Sequence, residues 1–85
     1  MKIIKHKDGS YSIFVHDVLF KLDKYSCNNY YQFNLDNDFG GLIDVYKNFK
    51  TVESAVKYLR KQLLLNVKAI FEDLIKDDVY VEGSE

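Results

Sequence analysis

The chain has 85 residues, 47% of them hydrophobic, 29% charged and 15% aromatic, with a formal net charge of −1. One domain of this size hides about 60–65% of its unfolded surface, which leaves little room for a large closed active site. The near-neutral balance offers no overall field to attract nucleic acid or membrane, and the ordinary apolar share excludes wholesale disorder.

A single cysteine, Cys27, rules out an intramolecular disulfide and suits a reducing cytoplasm. Met1-Lys2-Ile3-Ile4-Lys5 turns polar at once, so no signal peptide is expected. No apolar run approaches the roughly 20 residues of a membrane span. The expected location is cytoplasmic, with no membrane partner.

Residues 2–7 and 10–16 read as strands around Asp8-Gly9. Asp-Gly between two such runs signals a hairpin, because a two-residue type I′ turn needs positive φ at both positions. That turn would set Lys7 opposite Ser10, His6 opposite Tyr11, Ile4 opposite Ile13 and Lys2 opposite Val15. These pairs would form the inner face, leaving Ile3 and Phe14 as an apolar spot outside. A one-residue slip would exchange the faces.

Val18, Phe20 and Leu22 then alternate in the opposite parity to Tyr11, Ile13 and Val15. Either a tight turn at His16-Asp17 or a β-bulge must intervene, and the turn is favoured. Residues 26–29 form a turn cluster. Residues 30–35 are the next strand, with Tyr31, Phe33 and Leu35 on one face. Residues 36–41 form a loop, and residues 42–49 read as a strand with clean alternation only through Tyr46.

The longest pattern covers residues 51–76. Val52, Ala55, Val56, Leu59, Leu63, Val67, Ile70, Phe71, Leu74 and Ile75 recur at helical spacing, and Thr51 suits the N-cap. Such a helix would be roughly 37 Å long. Leu63-Leu64-Leu65 spreads apolar chains too widely for one sheet to cover, so the helix bends near Asn66 or Leu64 or Leu65 meets another surface. Residues 79–81 add a short strand or fray. The expected fold is α+β: a small antiparallel sheet of four or five strands with one long C-terminal helix across one face. Residues 1–81 would be one domain and residues 82–85 a flexible tail.

Chemistry-bearing patterns are sparse. His6, His16 and Cys27 have no metal-ligand spacing, so no metal is expected. The Asp36-Asn37-Asp38-Phe39-Gly40-Gly41 loop falls short of a calcium loop, since Lys47 stands where the bidentate Glu belongs. No glycine-rich phosphate cradle occurs, and no cofactor is expected. In the proposed register His6 and Ser12 point to opposite faces, so no nucleophile–base pair forms. Catalysis is not expected.

Lys47, Lys50, Lys57, Arg60 and Lys61 lie within fifteen residues, with Glu53 the lone acid among them. Basic residues beside tyrosines can hold phosphates and stack bases. A solvated helix face with four-apart pairs such as Glu53 and Lys57 explains the same pattern. Residues 72–85 carry six acids and one lysine, making the chain a charge dipole. Asp77 and Asp78 sit where they fit the helix dipole poorly.

Shortness, the lack of a catalytic set, the many Tyr and Asn and a polarised surface make the chain similar in general build to small phage and mobile-element proteins that inhibit a host system by occupying a surface, anti-CRISPR proteins among them. That resemblance implies a protein-binding module. Its contacts would run through Tyr30, Tyr46 and Tyr58, through Leu64 and Leu65, or through Asp77 and Asp78. The partner would be a host protein or a second copy docked through the helix. Nucleic acid bound by Lys47, Lys50, Lys57, Arg60 and Lys61 is the alternative.

Overall fold

In a computed structural model, the described residues are 1–25, 29–34, 41–66, 74 and 76–83. The elements in chain order are β1 (Lys2–Lys5), β2 (Tyr11–Val15), β3 (Val18–Tyr25), β4 (Tyr30–Asn34), α1 (Val52–Asn66) and β5 (Val79–Glu82). The strands form one sheet in the order β4-β3-β2-β1-β5, with α1 packed on one face. The α+β class is as expected. The sheet is mixed rather than antiparallel, because β5 runs parallel to β1.

The first hairpin differs from the two-residue reading. The pairs are Ile3 with Ile13, Ile4 with Ser12 and Lys5 with Tyr11. The loop holds three residues: His6 N–H donates to Ser10 at 2.9 Å, and Gly9, at φ 92°, donates to His6 at 3.1 Å. A turn closed by a left-handed glycine is the common three-residue solution. Asp8 secures it by accepting from the Ser10 amide and hydroxyl at 2.9 and 2.6 Å. The slip exchanges the faces of β1. Met1 and Ile3 are buried, and the outward apolar pair is Ile4 and Phe14, not Ile3 and Phe14.

At the second hairpin, Val15 pairs with Val18 across His16-Asp17, so the parity change is a tight turn. The left-handed residue there is His16, at φ 57°. β4 turns Phe33 into the core as expected.

Residues 42–49 are not a strand. Asp44 bends the segment: its side chain accepts from Tyr46 N–H at 3.0 Å and its carbonyl from Lys47 N–H at 3.2 Å. An Asp that binds the backbone two residues on competes with extended structure, which is why the alternation faded at Tyr46. Only Phe49 rejoins the sheet, exchanging backbone bonds of 2.7 and 2.9 Å with Tyr31.

Thr51 caps α1, since its hydroxyl accepts from Ser54 N–H at 3.1 Å while Ser54 Oγ donates back to the Thr51 carbonyl at 2.9 Å. Val52, Ala55, Val56, Leu59 and Leu63 face the sheet. Full burial of Leu59 or Leu63 contributes about 1.5–3 kcal/mol each.

The single helix over residues 51–76 is not formed. In it, Leu74 would lie about 21 Å along the axis from Arg60. Instead the Leu74 carbonyl accepts from Arg60 Nε at 3.0 Å, and Leu74 returns to the core. Among the leucines, Leu63 is buried while Leu64 and Leu65 are exposed. Asn66 Nδ2 donates back to the Gln62 carbonyl at 2.7 Å.

The core joins Ile3, Ile13, Val15, Phe20, Leu22 and Phe33 of the sheet to the helix residues, with Ile43, Phe49 and Leu74 closing the ends. β5 includes Glu82, and Gly83 N–H donates to the Lys5 carbonyl at 2.7 Å. No described helix is long and apolar enough to cross a membrane.

Candidate functional site

The fold brings four of the five basic candidates together. Lys47 and Lys50 flank Phe49 on the segment that closes the β4 edge. Lys57 and Lys61 stand one turn apart on α1. All four line a shallow depression of about 510 Å³ whose floor is Phe49 and Tyr58.

The two rings lie 5.2 Å apart, and the Lys47 ammonium sits 5.4 Å from the Tyr58 ring centre and 6.0 Å from that of Phe49. Such placement orients the cation without neutralising it. Tyr58 is fixed from the other side, where its hydroxyl accepts from Asp44 N–H at 3.0 Å. None of the four lysines makes an ion pair with another described residue. Glu53, read as the partner of Lys57, makes no such pair. It lies instead within the electrostatic environment of Tyr11 and Tyr80.

Arg60 does not belong to this cluster. Its guanidinium is bound to the Asp78 carboxylate and to the Leu74 carbonyl. Asp78 also receives the Met1 amino group at 3.4 Å. These two expected site residues therefore clamp β5 to the helix layer. Asp77 is exposed beside them. Burial, together with Asp78 and Glu53, raises the Tyr80 phenol above its ordinary value, so it stays a protonated donor.

The remaining contact candidates are dispersed. Tyr46 is 84% exposed at the tip of the Asp44 turn, and Leu65 is 68% exposed near the end of α1. Tyr30 is half-buried and stacks at 6.0 Å on Tyr25.

The register slip also overturns the placement of His6 and Ser12 on opposite faces. Both lie on the outer face, with His6 Nε2 and Ser12 Oγ 2.6 Å apart. A nucleophilic serine also needs free N–H groups for its oxyanion. β2 is a central strand, so the amides beside Ser12 are taken up by the ladders to β1 and β3. The pair fastens the hairpin.

Among the described residues, no group of three or more His, Cys, Asp or Glu side chains is placed to hold a metal ion. The calcium-like residues 36–40 lie outside the described residues. The lysine cluster was half legible: the spacing of Lys57 and Lys61 on one helix face marked it. Placing Lys47 and Lys50 beside them required the non-strand path of residues 42–49. No protein-family profile, no curated protein and no solved structure matches the chain.

Proposed function

We propose that this chain works by non-covalent binding rather than catalysis, and that its principal site is the Lys47, Lys50, Lys57 and Lys61 cluster, which holds the phosphate backbone of nucleic acid. One observation carries the reading: four lysines converge on one aromatic-floored depression without an acid among its described lining residues. Charges so arranged create a local positive field that the net charge of −1 conceals. They position a polyanion without reading its sequence.

The test is fluorescence anisotropy of a labelled single strand and a labelled duplex against salt. With four phosphates engaged, the logarithmic salt slope is about −3 on the single strand and −3.6 on the duplex. Lys57→Glu with Lys61→Glu abolishes binding while the fold, checked by circular dichroism, persists. Binding equal to wild type in that variant, or none at low salt, overturns the reading.

A second reading keeps the protein-binding module, acting as an occluding inhibitor of the kind the general build resembles. Its support is the exposed Tyr46 on a turn held rigid by Asp44. A tyrosine fixed in this way offers contact area at low entropic cost. If this reading holds, Tyr46→Ala weakens partner binding and reversal of Lys57 and Lys61 does not.

A further inference from the structure

We propose that two copies of this chain pair through their β5 strands, antiparallel about a two-fold axis at Val81, to form one continuous ten-stranded sheet. This is independent of the lysine cluster. The geometry begins with the bonds to β1. Val79 N–H donates to Met1 at 2.9 Å and Gly83 N–H to Lys5 at 2.7 Å. Alternation along the strand then turns the backbone groups of Tyr80 and Glu82 away from β1. Neither of those amides has a partner among the described residues.

The strand is short and holds one charge, Glu82, but it has no proline, no lysine and no bulge, and Val79, Tyr80 and Val81 are 55%, 50% and 37% exposed.

Charge selects the occupant and the register. An axis at Val81 sets Tyr80 opposite Glu82 of the second copy, twice. Four N–H···O bonds form, and each phenol meets a carboxylate on the helix side. An axis at Tyr80 would set Asp78 against Glu82, and one at Glu82 would oppose two carboxylates, both unfavourable. On the outer face, Val81 meets its own copy. The two apolar bands of Val79, Val81, Ile4 and Phe14 become one. The other edge is already engaged, because Phe49 occupies Tyr31 there. A two-fold contact also closes on itself, so it yields a dimer and not a fibre.

Sedimentation velocity of the full chain over a wide concentration range tests this. The expected result is a reversible species of twice the chain mass. Val81→Lys, which sets two ammonium groups face to face, raises the dissociation constant by about tenfold or more. Leu65→Lys on the helix leaves it unchanged. If Val81→Lys fails to fold, Tyr80→Pro serves, since it deletes an outward N–H and keeps the bonds to β1. Val81→Cys in a Cys27→Ser background then forms a disulfide-linked dimer on mild oxidation, because facing residues of this kind lie about 4.5 Å apart. A monomer at every concentration overturns the proposal. So does a dimer lost by Leu65→Lys but kept by Val81→Lys, or a dimer that Val81→Cys does not cross-link.

Discussion

At one edge of the sheet Phe49 exchanges two backbone bonds with Tyr31, and its ring sits in the core 5.8 Å from Phe33. At the other edge Tyr80 and Glu82 turn their backbone groups outward, and every residue of β5 is exposed. The difference lies in how each edge is anchored. Residues 42–49 are bent by Asp44, so they return only one residue to the sheet, but that residue is a buried phenylalanine. β5 is anchored by polar contacts instead, Asp78 to Arg60 and backbone to β1, and none of its side chains reaches the core. One edge is closed by burial. The other is clamped by charge and left open to association.

The largest expected effect tests the closed edge. Phe49→Ala removes a side chain only 5% exposed and should cost about 3–5 kcal/mol in urea unfolding. It should also weaken phosphate binding, because Lys47 and Lys50 lose their floor. Val79→Ala on the open edge should change monomer stability by less than about 0.5 kcal/mol. Equal costs at the two positions would show that β5 is as much a part of the core as Phe49.

The clamp on the open edge comes next. Arg60→Met leaves the Leu74 carbonyl without its donor and the Asp78 carboxylate to the Met1 amino group, and an orphaned, partly buried acceptor costs about 1–3 kcal/mol. Hydrogen exchange should quicken at Val79 and Val81 before it quickens in β2 and β3. Uniform acceleration across the sheet would mean that β5 and the core open as one unit.

These contrasts also show where sequence reading stopped. The helical face from Val52 to Leu63 was legible because its spacing repeats over three turns and Thr51 marks its start. The strands were legible from alternation, and the Asp-Gly pair located the first hairpin. Alternation alone does not count loop residues, so one residue's difference at Gly9 exchanged the faces of β1 and hid the His6–Ser12 contact. The return of Leu74 to Arg60 was not legible either. Residues 67–75 continue the apolar spacing of α1, and nothing local to them announces a long-range bond. In residues 42–49 the hydrophobic pattern favoured a strand, while Asp44 tipped the backbone toward turns. The lysine cluster depended on that outcome.

Gly9 gives a smaller, local test of the turn that closes the first hairpin. Its φ of 92° is strained for any other residue, and an added Cβ would stand 3.2 Å from Lys24 Cδ. Lys24 is a flexible chain that can give way, so backbone strain dominates. Gly9→Ala should cost about 1 kcal/mol or somewhat more. Gly9→Asn should cost less, since Asn tolerates the left-handed region better. A neutral Gly9→Ala would argue against a left-handed Gly9 and so against the three-residue turn closed by it.

The smallest effect belongs to the same turn. Two hydrogen bonds from Ser10, first its hydroxyl and then its amide, hold the Asp8 carboxyl below its ordinary value of 3.8. A lowered folded value means that the ionised carboxylate stabilises the hairpin. That contribution is fully present above the unfolded value and is lost as pH falls through the folded one. Asp8 is fully exposed, so the effect is slight and is best read by following its carboxyl directly in an NMR titration. Ser10→Ala removes the larger of the two bonds and should move the titration back up toward 3.8 while leaving the β1–β2 pairing intact. If the titration does not move, the amide bond alone holds the carboxylate. The turn would then keep its three-residue form, and with it the outward face of β1, without any help from the serine side chain.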